Sequence, residues 1–270
     1  MQTQTAQFQD WISGWSVERP LLIDYAFAGA HAPFRPLGNG LAARDLGLHT
    51  ASRGAMAARH VRAIGPARQA VWQSTDAGFA FLYVLAGRLD LNDDAGATQS
   101  LETGGVAVLP SGASRAWRNW TDDFAAIEIT ASARDDRPAQ APARKPLFLP
   151  QRPDDFVVGA GPRRYFAYRD LGTAQPTGRR IHIHVVKSLE PMPGGTGWHT
   201  HTMSQLFVVL TGWADLQVEG KGERRMQAGD AMCLRAGMRH NVPAFSADYT
   251  VLEMCVPADY DTTATDAPAA

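Results

Sequence analysis

Hydrophobic residues of the chain fall into many short runs, and several of these runs alternate with polar residues. Two β-branched and aromatic runs, at 79–85 and 206–210, each end close to a glycine that precedes an alternating segment. This order is typical of a β-hairpin. Further strands are predicted at 88–91, 106–109, 124–129, 180–186, 213–218, 231–234 and 249–254. Because short strands without an intervening helical period indicate a sandwich or barrel, the pattern predicts an all-β fold.

The sequence also repeats itself at an offset of 125 residues. The segment Arg44-Asp-Leu-Gly recurs as Arg169-Asp-Leu-Gly, and eleven identities lie on this ungapped diagonal across about 85 residues. The other identical pairs are Gly87 and Gly212, Asp90 and Asp215, Leu91 and Leu216, Gly104 and Gly229, Leu109 and Leu234, Gly112 and Gly237, and Glu128 and Glu253. We therefore predict a tandem duplication.

The repeat and the local composition together predict five segments. Residues 1–40 form an N-terminal extension, 41–130 the first barrel, 131–160 a linker, 161–256 the second barrel and 257–270 a tail. The linker is placed where Ala, Pro and Arg are abundant and no periodicity is found. The tail is rich in small and polar residues, so it is expected to be disordered.

Composition excludes several classes of function. The chain has 270 residues, with 26 Lys and Arg against 27 Asp and Glu, so its formal net charge is -1. A nucleic-acid or membrane-surface partner is not expected, because either would favour a clustered basic surface. No apolar run approaches the roughly 18 residues of a membrane-spanning helix, and the first residues lack the pattern of a signal peptide. We expect a cytoplasmic protein in which Cys233 and Cys255 are buried free thiols.

Candidate chemistry is concentrated in the second copy. His199 and His201 are two residues apart on a predicted strand, and Gln205 follows four residues later. Side chains at this spacing share one face of a strand, and His240 follows a glycine on a later strand. Three imidazoles and one amide oxygen that converge would form a site for a divalent transition metal.

These residues resemble the two sequence motifs of the cupin superfamily. The first runs Gly197-Trp-His-Thr-His and continues through Gln205 to Gly212, and the second runs from Gly229 to His240. The resemblance covers both copies, roughly 44–129 and 169–254. It implies a bicupin, in which two cupin-type barrels of the RmlC-like jelly-roll or double-stranded β-helix form lie in tandem. It also implies a homodimer.

Carried over from the family, the metal ligands are His199, His201, Gln205 and His240. Gln205 replaces the usual glutamate of the first motif, and Arg235 replaces the usual proline of the second. A set of neutral donors leaves the full charge on the ion, which makes it a stronger Lewis acid and a better host for an anionic ligand. The expected cofactor is one divalent transition metal, which can be Fe, Zn, Mn or Ni.

The same offset predicts that the first copy is degenerate and holds no metal. The four positions that match the ligands are Ser74, Asp76, Ala80 and Arg115. Glu253 matches Glu128 of the first copy, so it is interpreted as structural and not as a ligand.

Candidate residues of a substrate pocket lie near the ligands in the sequence: Trp198, Met203, Phe207, Met232 and Tyr249, together with His182 and His184. For the two histidines, a place in the core or at the surface is the alternative, and whether they face the metal site is left open. The wall around such a ligand is expected to be largely apolar.

The leading hypothesis is a metal-dependent dioxygenase of the Fe(II) type, acting on a small enolic or aromatic compound. One alternative is a non-redox isomerase, cyclase or lyase that uses Zn, Ni or Mn on a sugar or polyketide-like substrate. The other is a cupin that binds a small ligand without catalysis. The expected partner is a small molecule in every case.

Overall fold

The computed structural model of the chain describes residues 21–66, 71–74, 77–92, 96–110, 114–132, 146–152 and 155–269. The chain divides into two compact units, one for each copy of the repeat. Unit one contains residues 32–45 and 53–152, and unit two contains 16–31, 46–52 and 153–270, so far as these ranges are described.

In chain order the elements are β1 (Ala26–Ala28), β2 (Arg35–Gly38), β3 (Leu41–Asp45), α1 (Leu48–Ala51), β4 (Met56–Ala63), β5 (Val71–Ser74), β6 (Ala77–Ala86), β7 (Arg88–Asn92), β8 (Thr98–Glu102), β9 (Val106–Pro110), β10 (Ser114–Arg118), β11 (Ala125–Ser132), β12 (Leu147–Leu149), β13 (Val157–Val158), β14 (Phe166–Asp170), β15 (His182–Ser188), β16 (His199–His201), β17 (Ser204–Thr211), β18 (Trp213–Val218), β19 (Gly222–Gln227), β20 (Ala231–Leu234), β21 (His240–Phe245), β22 (Thr250–Val256) and β23 (Thr262–Ala264). One 3₁₀ turn spans Gly161–Arg163. Every strand predicted from the hydrophobic pattern is confirmed, with boundaries shifted by a few residues.

Each unit is built from two antiparallel sheets. In unit one the strand orders are β12-β9-β6-β11-β4-β3-β2 and β5-β10-β7-β8. In unit two they are β1-β20-β17-β22-β15-β14-β13 and β19-β18-β21-β16-β23. Since two facing antiparallel sheets around one core form a jelly-roll barrel, the predicted all-β fold of two barrels is confirmed.

An apolar core fills the space between the sheets of each unit. In unit one, Leu82 and Val84 of the larger sheet pack with Leu91 and Trp117 of the smaller sheet. In unit two, the corresponding core joins Val209 and Val251 of the larger sheet to Leu216 of the smaller one. Burial of this surface is the main contribution to the stability of each barrel.

The larger sheets keep the repeat offset in their strand register. Ala80 on β6 lies opposite Leu109 and Thr130 in unit one. Gln205 on β17 lies opposite Leu234 and Cys255 in unit two. All three positions differ by 125, so residues that match in sequence occupy matching places in the two sheets.

Segments that were expected to lie outside the barrels contribute strands to them. Strand β1 lies within the predicted extension and pairs with β20, and β12 and β13 lie within the predicted linker and pair with β9 and β14. Residues 1–20 and 133–145, which complete the extension and much of the linker, are outside the described part of the chain. The edges of β9, β14 and β20 offer unpaired backbone groups, and these short strands satisfy them.

The expectation of a disordered tail at 257–270 is corrected by the structure. Strand β23 pairs with β16, the strand that carries two of the candidate ligands, and places Thr262 opposite His201. The small polar composition of the tail did not indicate this pairing. Among the described residues, no helix has the length and apolar character needed to cross a membrane.

Candidate metal centre

Three histidines converge in unit two. His199 and His201 lie on β16, and His240 lies opposite His199 on the neighbouring strand β21. One ring nitrogen from each histidine lies within 4.8 Å of the others. The ring centroids are 4.3 to 5.1 Å apart. The structure therefore brings together the imidazoles that the sequence grouped.

Hydrogen bonds at Nδ1 orient all three rings. The Nδ1 atoms of His199 and His240 donate to the carbonyl oxygens of Gly197 and Met238, at 2.8 and 3.0 Å. Nδ1 of His201 lies 2.9 Å from the hydroxyl oxygen of Thr262. A proton at Nδ1 leaves the lone pair at Nε2, which is the tautomer that metal-binding histidines use.

Gln205 supplies the fourth donor. Its side chain on β17 is 2% exposed, and its Nε2 lies 3.2 Å from Nε2 of His240. Its Oε1 is buried and has no hydrogen-bond partner in the described part of the chain. A half-turn of the amide exchanges the two atoms and presents the oxygen to the imidazoles, as metal ligation requires. The orphaned oxygen and the three imidazole Nε2 atoms fit a divalent transition metal.

Burial keeps the three imidazoles neutral. It lowers the pKa of His199, and the charge of Arg163 acts in the same direction. Burial also lowers the pKa of His201 to about 3 and that of His240 to about 4. Because only a neutral imidazole can bind a metal ion, these shifts favour metal binding at neutral pH.

A second group of polar side chains lies on the same sheet face as Gln205. His184 Nε2 donates to the carboxylate of Glu253 at 2.8 Å, and His184 Nδ1 lies 2.7 Å from Nε2 of His182. His182 Nδ1 in turn lies 3.7 Å from Asp170, whose side chain is 67% exposed. A row of titratable groups therefore runs from the Glu253 carboxylate, whose side chain is 14% exposed, to Asp170 at the surface.

Glu253 is charged although its side chain is only 14% exposed. Burial raises the pKa of the carboxyl group, but the hydrogen bond from His184 leads the opposing contributions, and the pKa lies below its usual value. The Glu253 charge and burial raise the pKa of the neighbouring thiol of Cys255. Cys255 is therefore a neutral buried thiol, in agreement with the sequence-based expectation.

The remaining predicted pocket residues divide into two groups. Met232 and Tyr249 are buried in the apolar core, and Phe207 packs against that core with its ring centroid 6.4 Å from that of His240. Met203 is fully buried, and Trp198 is half-buried. Of these five, Phe207 has a ring contact with a candidate ligand. His184 contacts the Glu253 carboxylate and His182 contacts His184, so both lie on the sheet face that carries Gln205.

Sequence reasoning interpreted Glu253 as structural, and it did not single out two further residues near the ligands, Thr262 and Arg163. For Glu253 a signal was available, because the position opposite it changes from Arg59 in the first copy to His184 in the second. Thr262 and Arg163 lie outside the repeated diagonal, so no comparison within the chain points to them.

Unit one has a different set of residues at the matching positions. Ala80 is buried, and Arg115 lies on β10. Asp76 is outside the described residues, and so is the side chain of Ser74. Glu128 forms an ion pair with Arg59. Both groups of described residues that could hold a metal ion lie in unit two.

The fold and this site define a cupin-type protein. Residues 186–255, which contain all four candidate ligands and Glu253, match the family model described as a cupin domain. With the two-barrel architecture, this match confirms the resemblance to the cupin superfamily, and the chain has a bicupin fold.

Solved structures of low sequence identity share this fold along most of the chain. A glyoxylate-induced protein from Pseudomonas aeruginosa is similar at a TM-score of 0.64 with 19% identity, covering 90% of this chain and 94% of that one. Oxalate decarboxylase from Lactobacillus farciminis, in complex with formate, has a TM-score of 0.60 and 12% identity, covering 88% of each chain. Oxalate decarboxylase from Bacillus subtilis, which has Mn(II) centres, has a TM-score of 0.57 and 15% identity, covering 94% of this chain and 81% of that one. No curated protein matches the sequence.

Proposed function

We propose that the chain is a divalent-metal-dependent enzyme that moves a proton on a small compound bearing a carboxylate or an enol. The metal is held by His199, His201, Gln205 and His240. Glu253 accepts the proton. The observation that carries this proposal is the charged Glu253 carboxylate on the interior sheet face beside the four donors.

Strand register supports the position of Glu253. Gln205 lies directly opposite Cys255 on β22, and Glu253 is two residues before Cys255 on the same face. Diagonal neighbours of this kind have Cα atoms about 7 to 8 Å apart, a distance that a ligand on the metal can bridge. The carboxylate also interacts electrostatically with His201 and His240.

His184 and His182 form a candidate path for proton transfer between Glu253 and the surface. With Nε2 of His184 donating to Glu253, the neutral ring accepts from His182 at Nδ1. For a proton to leave the carboxyl group, both imidazoles must take the opposite tautomer, in which His184 Nε2 accepts from Glu253 and His182 Nε2 accepts from His184 Nδ1. The proton then reaches His182 Nδ1, which lies 3.7 Å from exposed Asp170. General acid-base groups act well when such a relay restores their protonation state after each turnover.

The donor set agrees with an anionic substrate. A bound divalent ion acts as a Lewis acid that makes a neighbouring C–H or O–H group more acidic. Because the four donors are neutral, an anionic oxygen of the substrate compensates the charge that the protein leaves uncompensated. Oxalate decarboxylase, one of the similar structures, acts on a small carboxylate and has Mn(II) centres in its Bacillus subtilis form, which supports this class of substrate and metal.

Glu253 favours the non-redox alternative over the dioxygenase that leads the sequence-based hypotheses. Gln205, in place of the usual glutamate, removes an obvious general base from the donor set. The carboxylate of Glu253, with its proton relay, would supply that base. Dioxygenation of an enolic compound remains the competing candidate.

Metal content tests the first half of the proposal. The purified protein is reconstituted separately with Mn, Fe, Zn and Ni, and bound metal is measured after removal of the excess. We expect about one equivalent for at least one metal, loss of binding in His240→Ala, and unchanged binding in the unit-one control Arg115→Ala. Less than about 0.2 equivalents with all four metals would overturn the proposal.

Proton exchange tests the second half. The loaded protein is incubated in deuterium oxide with a panel of small keto, hydroxy and dicarboxylic acids, and C–H exchange is followed by NMR while an electrode records oxygen. We expect exchange without oxygen uptake, and a loss of at least about a hundredfold in Glu253→Gln. Oxygen uptake coupled to product formation would favour the dioxygenase instead.

A further inference from the structure

Arg163 lies at the edge of the candidate metal centre, at the end of the 3₁₀ turn. Its guanidinium donates to the hydroxyl oxygen of Thr262 at 2.9 Å. The same oxygen lies 2.9 Å from Nδ1 of His201. Thr262 therefore joins an exposed cation directly to one of the candidate ligands.

The geometry of this connection leaves donors free for a ligand. A threonine hydroxyl that accepts from both Arg163 and His201 still has its own hydrogen to donate. A guanidinium has several N–H groups in a planar fork that matches a carboxylate, and the hydrogen bond to Thr262 uses one of them. Arg163 and Thr262 are both exposed, so a small molecule can reach them.

Charge supports a ligand that is more than singly anionic. The positive charge of Arg163 helps to lower the pKa values of His199 and His201, which shows that its field extends over the ligands. A divalent ion held by neutral donors, the Arg163 cation and the Glu253 anion together leave two uncompensated positive charges. A ligand with a single negative charge compensates half of this excess, and a dianion compensates all of it.

We propose that Arg163 and Thr262 form a second anion-binding point, so that the substrate is a small compound with two anionic groups, one on the metal and one on this pair. This inference rests on the proposed function, because it requires the metal to be bound. Two hydrogen bonds in series place the guanidinium within about 6 Å of the His201 ring. Because Nδ1 is the ring atom opposite the metal-binding Nε2, a ligand that bridges the ion and Arg163 must extend past the His201 ring, as a dicarboxylate with a carbon chain between its two anionic groups can.

The matched control for this proposal is the next residue. Arg164 stacks on the ring of Tyr165, with 4.6 Å from its guanidinium carbon to the ring centroid, and donates to the Tyr165 hydroxyl. It is exposed like Arg163 and carries the same charge, but its guanidinium is held by Tyr165 and not by Thr262. Arg163→Gln and Arg164→Gln thus remove the same charge from adjacent positions.

The experiment measures binding and needs no turnover. Mn(II)-loaded protein is titrated with malonate and, separately, with formate, by calorimetry and by the change in the Mn(II) EPR spectrum. Affinity for Mn(II) alone is measured first for every variant. We expect malonate to bind at least tenfold more weakly to Arg163→Gln than to the unmodified protein, while its affinity for Arg164→Gln and the affinity of formate for either variant change less than twofold.

Four results would overturn the inference while leaving the proposed function intact. The first two are Mn(II) binding without detectable malonate binding, and equal malonate affinity in Arg163→Gln and the unmodified protein. The other two are an equal loss of malonate affinity in both arginine variants, and an equal loss of formate and malonate affinity in Arg163→Gln. Failure of the unmodified protein to bind Mn(II), Fe(II), Zn(II) or Ni(II) would overturn the proposed function, and this inference with it.

Discussion

Glu128 and Glu253 occupy the same place in the two barrels, and each has a partner on the neighbouring strand at the same offset. In unit one the partner is Arg59, which forms an ion pair with Glu128. In unit two it is His184, which hydrogen-bonds Glu253 and continues to His182. An arginine fixes the charge state of its carboxylate partner, whereas a histidine can pass a proton on. One change of partner therefore separates a structural ion pair from a candidate relay.

The comparison extends to the interior of each barrel. The position of Gln205 in unit two is taken by Ala80 in unit one, where Leu82 and Trp117 complete an apolar core. A filled core adds stability, and a row of polar groups in the same place lowers it unless every group has a partner. Unit two thus keeps the scaffold of unit one but places polar side chains in part of its interior.

The largest predicted effect concerns the scaffold that the units share. Gly87 and Gly212 have φ values of 70° and 67°, and a Cβ atom on either would lie 2.2 Å from a hydroxyl oxygen, that of Thr121 or Ser246. Each hydroxyl accepts the next backbone N–H at 2.9 Å. We expect alanine at either glycine to lower the free energy of unfolding by about 3 kcal/mol or more.

Urea denaturation measures this effect, with Gly220→Ala as the control. Gly220 also has a positive φ, of 68°, but no atom lies within 4 Å of its added Cβ, so about 1 kcal/mol is expected. A difference of more than about 2 kcal/mol between the Gly87 and Gly212 variants would contradict the equivalence of the two turns.

The second prediction concerns the loss of stability at low pH that His60 of unit one causes. Burial and the charges of Arg44 and Arg62 lower the pKa of His60 to about 4. As the pH falls below about 6.5, the unfolded chain takes up the proton first, so the folded state loses stability until the pH reaches about 4. We expect a loss of about 2 to 3 kcal/mol from this residue.

The matching residue in unit two is the buried Val185, so His60→Val is the natural variant. The free energy of unfolding is measured in urea between pH 7 and pH 4. We expect the variant to show a shallower decline over this interval than the unmodified protein. If the free energy of unfolding fell equally with pH in both proteins, the folded environment of His60 would not destabilise its protonated form.

The third prediction tests the amide ligand. Gln205→Glu adds a negative charge to the donor set, so the affinity for a divalent metal is expected to rise at least tenfold. The affinity of the loaded site for formate is expected to fall, because the ion retains less uncompensated charge. Calorimetric titration with Mn(II) and then with formate gives both values. Unchanged metal affinity would mean that residue 205 does not contact the ion.

The smallest expected effect returns to the two glutamates. Glu253→Gln is expected to weaken metal binding by about fivefold, because it removes a negative charge from the vicinity of the ion without removing a ligand. Glu128→Gln is expected to leave metal affinity unchanged. Parallel Mn(II) titrations of the two variants decide the point, and equal effects would argue against a special role of Glu253 beside the metal.

Much of the scaffold was predictable because the signals are local or repeated. Alternating residues predicted the strands, and the two-residue spacing of His199 and His201 predicted that their rings lie together. The repeat predicted two similar units. The role of Glu253 was not predicted, since its identity with Glu128 suggested a shared role, while the informative change lies at the opposite residue, His184.

The short strands β1, β12, β13 and β23 were not predictable for a different reason. Each has two or three residues, and each forms by pairing with the open edge of a neighbouring strand. The backbone hydrogen bonds that hold β23 to β16 depend little on the side chains of Thr262 and its neighbours. Amino-acid composition reflects side chains and not backbone pairing, so it predicts a disordered tail for a segment of this kind.

Strand β23 also determines the order in which the site can be assembled during synthesis. His199 and His201 leave the ribosome about sixty residues before Thr262, the residue that holds the His201 ring through Nδ1. Until Thr262 emerges and pairs with β16, His201 lacks this hydrogen bond and Arg163 lacks its partner. The proposed metal centre can therefore be completed only late in synthesis, and we expect a bulky fusion placed directly after β23 to interfere with its completion.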